Sequence, residues 1–195
     1  MMKFLIIIHM RHFLKLITLS AVCCMSFNSC GNRELRKQMS SFMAREIVLP
    51  AEMTRIQDGK MKPVYNMALD KPTLILFYGK DECSSCAIHH LSDDLSSFKR
   101  LEEEKDCRVM ILFSISQDQF LDVPDEICEL EFPFPVYVDI YGDFYRENED
   151  FPSDRRFHSF LVGVDGHPVF VGSPFDSDNL RRLFERALMR TEKRK

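Results

Sequence analysis

The first thirty residues contain no Asp and no Glu, while Lys3, Arg11 and Lys15 give them a positive flank. No internal repeat and no low-complexity tract occurs apart from the basic end, Arg190 to Lys195, so solenoid and fibrous architectures are excluded. The chain also lacks a P-loop, a GxGxxG turn and a GxSxG elbow, which removes the common nucleotide-binding and serine-hydrolase chemistries. Trp is absent, yet seventeen Phe and a hydrophobic share of 45% supply enough apolar mass for a core and argue against disorder. Taking Lys3, Arg11 and Lys15 from the 26 basic residues leaves 23 against 30 acidic ones, a net charge of −7 beyond the leader. The basic residues are scattered along that acidic remainder, so nucleic acid is not an expected partner.

The N-terminus has the layout of an export signal. After the basic flank, Leu16 to Val22 and Cys23 to Phe27 form one short apolar run, less than the ~20 residues of a membrane-spanning helix. Met1, Met2 and Met10 are all possible starts, and no second long apolar run follows. Ser26-Phe27-Asn28-Ser29-Cys30 resembles a bacterial lipobox, with small Ser29 before the cysteine and Phe27 where Leu is usual. That resemblance implies a signal peptide over 1–29 and a lipid on Cys30. It also implies a membrane-anchored lipoprotein of the cell envelope facing the periplasm. An ordinary signal peptide is the alternative. Cys23, Cys24 and Cys30 then belong to the leader, leaving Cys83, Cys86, Cys107 and Cys128. In an oxidising compartment these four can form disulfides, and spacing does not say which.

Residues 30–70 read as a tether and lead-in. Leu35, Met39, Phe42, Met43 and Ile47 fall at helical spacing before Pro50, and Asp58-Gly59 reads as a turn. Pro63 reads as a breaker, with a short strand near Val64-Tyr65. The domain proper, 71–195, opens with a nearly continuous apolar run, Thr73 to Tyr78, the mark of a strand buried on both faces. Ile88, Leu91, Leu95, Phe98 and Leu101 then predict one amphipathic helix, and Val109 to Ser114 a second buried strand. Strand, helix and strand within about forty residues make a parallel βαβ unit. A short helix is expected over Glu126–Leu130 and a third strand over Pro135–Asp139, followed by a long polar loop from Ile140 to Arg156. A hairpin is expected next, with strands 158–164 and 167–171 joined by a two-residue Asp165-Gly166 turn, and Pro168 placing its second arm at an edge. Asp178 to Met189 closes the chain as a helix.

The chemistry-bearing motif is Cys83-Ser84-Ser85-Cys86, between the first buried strand and the amphipathic helix. Together with the element order, it resembles the thioredoxin-like superfamily. The nearest flavour is the exported, membrane-anchored thiol-disulfide proteins of the TlpA/ResA type. The resemblance implies a three-layer α/β fold with a mixed central sheet, a βαβ unit, an antiparallel hairpin and a C-terminal helix. It further implies exchange with protein thiols or disulfides of the envelope, without a cofactor. Cys83 is the expected nucleophile, because a helix N-terminus favours the thiolate, and Cys86 the resolving thiol. Asp81 and Glu82 oppose this by like charge.

Three positions depart from the family. Glu82 replaces an aromatic residue, Phe77 replaces a buried acid, and Phe157 or His158 stands where a cis-proline is usual. Only one of that last pair is expected to face the dithiol. Two alternatives accompany the redox reading. One is a non-catalytic thioredoxin-fold binding or scaffold lipoprotein. The other is a copper chaperone resembling the Sco type, using Cys83, Cys86, His90 and His158, although that family spaces its cysteines as CxxxC. His89 and His90 are otherwise ordinary helix-surface residues, and Cys107 and Cys128 ordinary buried thiols.

Overall fold

A computed structural model describes residues 33–116, 119 and 122–192. The segment expected to be a signal peptide, 1–29, and Cys30, the expected lipid site, lie outside these residues. The chain divides into two compact units, Met1–Ser40 and Ser41–Lys195. Helix α1 spans 33–43, stopping short of the expected Ile47. Beyond it Ala44 and Arg45 turn back on Ser41 and Phe42, and the Ile47 N–H donates to the Gly166 carbonyl at 2.8 Å. Among the described residues no helix is long and apolar enough to cross a membrane.

The second unit is built on one seven-stranded mixed sheet. Its strands are β1 (Glu52–Gln57), β2 (Lys60–Tyr65), β3 (Thr73–Tyr78), β4 (Arg108–Ser114), β5 (Val136–Asp139), β6 (Ser159–Val162) and β7 (Pro168–Val171). Their spatial order is β2-β1-β5-β4-β3-β6-β7. Strand β4 lies parallel to both β3 and β5, and β6 and β7 continue antiparallel from β3. The helices are α2 (Ser84–Ser92), α3 (Leu95–Lys105), α4 (Asp122–Glu129), α5 (Asp143–Glu147) and α6 (Asp178–Glu192), with a 3-10 turn at Arg155–Phe157.

Alternation along the buried strands separates two cores. Leu74, Leu76, Val109, Ile111, Phe113, Val136 and Val138 pack with Ile88 and Leu91 of α2, Phe98 and Leu101 of α3, Val123 and Ile127 of α4, and Phe184 and Leu188 of α6. Ile75, Phe77, Met110, Leu112, Phe160 and Val162 are equally buried but stand outside that cluster. This second core is aromatic. Phe77 lies 4.6 Å from Phe144 and 4.9 Å from Phe151, and Phe42 lies 5.2 Å from Phe160, centroid to centroid.

Four expectations need correction. The segment read as a lead-in is the β1-β2 hairpin, a full part of the sheet, in which Asp58 (φ 49°) and Gly59 (φ 65°) form a two-residue turn. Pro63 is tolerated because β2 is an edge strand, where a missing N–H leaves no ladder bond broken. The Asp165-Gly166 turn is longer than expected. Gly163 N–H donates to the His167 carbonyl at 2.9 Å, so three residues connect the strands and only Gly166 (φ 77°) takes the left-handed conformation.

The single helix expected after the cysteines is two. Asp93 and Asp94 bond back three residues, to His90 and Leu91, and Ser92 Oγ bonds the Ile88 carbonyl, so the α-helical ladder ends there. The loop from Ile140 to Arg156 contains α5 and the 3-10 turn. The first turn of α5 is satisfied by Asp139, at the end of β5, whose carboxylate accepts the Asp143 and Phe144 N–H groups. A cap four residues upstream on another element leaves no local sequence signal. Pro168 does begin an edge strand, as its missing N–H requires.

Candidate redox site

Strand β3 runs into the loop Gly79–Glu82, and Cys83 follows as the N-cap of α2, with φ −73° and ψ 110°. An N-cap residue is extended, so its side chain can turn back over the first helical turn and meet the free N–H groups there. Cys83 Sγ does so, accepting from the Cys86 N–H at 3.4 Å. Cys83 and Cys86 are joined as a disulfide, with Cα atoms 5.3 Å apart. Both residues are exposed. Cys107 and Cys128 are free thiols. Burial pushes the Cys107 thiol up to about 12, and half-buried Cys128 donates to the Gly59 carbonyl.

A CxxC disulfide capping the helix after β3, with β3 flanked by a parallel and an antiparallel neighbour, is the arrangement found in thioredoxins. The fold is thioredoxin-like. Among solved structures, the chain is similar to an uncharacterized thioredoxin-like protein from Porphyromonas gingivalis. That match has 16% identity and a TM-score of 0.42, covering 76% of this chain and 94% of the other. It is also similar to Trgpx in apo form, at 16% identity and TM-score 0.38, covering 69% of this chain and 93% of that one. No protein-family model and no curated protein matches the chain.

Phe157 and His158 divide as strand-like alternation requires, but they do so before the strand begins. Phe157 ends the 3-10 turn, and His158 follows it with φ −77° and ψ −4°, one residue before β6. Phe157 is buried, 5.8 Å from Phe42. His158 turns toward the loop before the dithiol, its Nδ1 3.2 Å from Glu82 Oε1 and its Nε2 3.1 Å from the Pro152 carbonyl. Among the described residues no cis peptide bond occurs. Phe77 packs edge-on to the His158 ring at 5.2 Å.

Several residues that sequence reasoning missed hold the Gly79–Glu82 loop. Arg155 Nε lies 3.9 Å from Glu82 Oε2, and its Nη2 lies 3.5 Å from the Asp81 carbonyl. Gln119 Nε2 donates to the Lys80 carbonyl at 3.0 Å. Tyr145, from α5, sets its hydroxyl so close to Gly79 that a Cβ there would stand 2.5 Å from it. The only sequence signals for this clamp were Gly79 itself and a carboxylate in an aromatic position.

Beside the loop is a cavity of about 450 Å³, whose lining includes Tyr78, Glu82, His90, Asp94, Arg155 and His158. Burial is the main cause that pushes the Tyr78 phenol up to about 12, with the carboxylates of Glu82, Asp94 and Asp176 adding to it. Burial, then Asp93 and Asp176, also raise Asp94. His89 and His90 are exposed in the last turn of α2. Among the described residues no three His, Cys, Asp or Glu side chains converge to hold a metal ion. Both His158 nitrogens already face oxygen atoms, which leaves the copper-chaperone alternative without an imidazole free at that position.

Proposed function

We propose that this chain exchanges thiols and disulfides in a bacterial envelope, anchored to the membrane through a lipid on Cys30 and facing the periplasm, as the TlpA/ResA resemblance implies. The observation that carries the exchange reading is the exposed Cys83–Cys86 disulfide, with Cys83 as the helix cap. In the reduced protein the Cys83 thiolate attacks one sulfur of a partner disulfide. A mixed disulfide forms, and the other partner sulfur leaves as a thiolate that takes up a proton. Cys86, having lost its proton, attacks Cys83 Sγ, releases the second partner thiolate, and closes the Cys83–Cys86 bond. Two electrons pass to the partner, which gains two protons. The Cys86 N–H supports the first step, because a charge-assisted bond to a thiolate is stronger than one to a thiol.

Trapping tests this reading. Full-length Cys86→Ala should accumulate partner proteins in mixed disulfides that reductant releases, and Cys83→Ala should not. Equal trapping by both variants overturns the assigned roles. No trapping by either overturns exchange in favour of a binding or scaffold lipoprotein. Lipidation rests on the acid-free basic leader and Ser29-Cys30. Fatty-acid label should enter the wild type and not Cys30→Ala, and equal labelling would refute it.

A further inference from the structure

Glu82 and His158, two departures from the family pattern, meet each other one residue before the dithiol. Both side chains are largely withdrawn from water, at 16% and 10% exposure. Phe77 packs edge-on to the imidazole at 5.2 Å, and Phe151 stacks on it at 5.4 Å. Glu82 Oε1 accepts the Gly79 N–H at 3.1 Å and meets His158 Nδ1 at 3.2 Å, while His158 Nε2 meets the Pro152 carbonyl at 3.1 Å.

A hydrogen inventory follows from these contacts. A carbonyl oxygen only accepts, so Nε2 carries a hydrogen. In neutral imidazole Nδ1 would then be a lone pair facing a carboxylate oxygen. The contact is satisfied only by one further proton, on Nδ1 or on Glu82. In either position the pair as a whole is neutral. The charged or titratable groups around it include Arg155, 3.9 Å from Glu82 Oε2, Asp154, whose carboxylate senses His158, and the Tyr78 and Tyr145 phenols, which sense Glu82, while His90, Asp94, Arg156 and Asp176 line the same cavity.

We infer that Glu82 and His158 share a proton and together set the charge beside Cys83, with His158 acting on the thiol through Glu82. The inference rests on Cys83 being the attacking thiol of the exchange reading. While the pair holds its proton, the Cys83 thiolate meets the helix N-terminus without an opposing charge from Glu82, and Asp81 alone remains against it. Without the imidazole, the residue just before Cys83 carries a carboxylate withdrawn from water, whose charge disfavours the thiolate. Both are positioning residues, and their effect is on thiolate formation rather than on contact with a partner.

The test uses full-length chain carrying Cys86→Ala, which retains the capping N–H. Cys83 alkylation by iodoacetamide is followed against pH, with the modified peptide read by mass spectrometry. His158→Gln should move the alkylation midpoint up by about one pH unit, a roughly tenfold slower reaction below the midpoint. Added to Glu82→Gln, the same substitution should change the rate by less than about twofold, since the carboxylate that the imidazole offsets is gone. An equal tenfold effect in both backgrounds, or none in either, overturns the inference. Exposed Arg155→Ala gives a second reading without disturbing the buried ring. It should slow alkylation about two- to threefold where Glu82 is intact and not in the Glu82→Gln background, and equal slowing in both overturns the inference. Alkylation needs no partner disulfide, so failed trapping with these shifts intact removes the exchange reading alone, whereas trapping without them removes the proton-sharing pair.

Discussion

Asp139→Ala should unfold the redox face of the molecule more readily than any exposed substitution. Asp139 is fully buried at the end of β5. Its carboxylate accepts the Ser114 hydroxyl at 2.8 Å, the Asp143 N–H at 3.0 Å and the Phe144 N–H at 2.8 Å. Alanine strands all three donors, each at a cost of about 1–3 kcal/mol. The serine hydroxyl can rotate and the first turn of α5 can admit water, so the lower half of the range applies, about 3–5 kcal/mol in total. At about 2–4 °C per kcal/mol for a chain of this size, Tm should fall by roughly 10–15 °C. Asp139→Asn keeps one acceptor oxygen but turns an NH2 toward a donor, and should cost about half as much. Urea titrations at neutral pH measure both, with unchanged m-values showing that the same structure is lost. A loss below about 1 kcal/mol for Asp139→Ala would refute the reasoning, because the three donors would then have found other partners. The consequence for the site is direct, since α5 supplies the Tyr145 that packs over Gly79.

Gly79→Ala should cost about 1–2 kcal/mol, because its Cβ would stand 2.5 Å from the Tyr145 hydroxyl oxygen. Tyr145→Phe in the same chain should recover most of that, and the lack of any recovery would place the strain elsewhere. Native Cys107 should resist alkylation at pH 8, where its thiol, pushed up to about 12 by burial, stays protonated. Modification of Cys107 before the chain unfolds would refute that. The same burial makes stability pH-dependent in alkali. The unfolded state releases the Cys107 proton from about pH 9 while the fold keeps it, so stability is full below that and falls as pH rises toward 12. Tyr78, raised from 10.0 to about 12, adds to the loss in the upper part of the window. Denaturation midpoints measured across this range should decline less steeply for Cys107→Ala.

The sequence by itself determined the elements whose signals are local. Thr73–Tyr78 and Arg108–Ser114 are buried on both faces and read as near-continuous apolar runs. The CxxC lies between a strand and an amphipathic helix, which placed the dithiol at a helix start without any coordinates. Pro168 announced an edge strand because a missing N–H is a covalent fact. Tertiary structure decided whatever depended on partners distant in sequence. Asp58-Gly59 became a two-residue turn and Asp165-Gly166 a three-residue connection, because the pairing of the flanking strands chooses how a turn closes. Helix α5 was illegible because its cap sits on β5, four residues upstream. The loop before Cys83 looked like two carboxylates opposing a thiolate. Only the fold brought His158 and Arg155, more than seventy residues away, against Glu82. Charge adjacent in sequence is legible, but the countercharge that offsets it depends on which chain segments the sheet brings together.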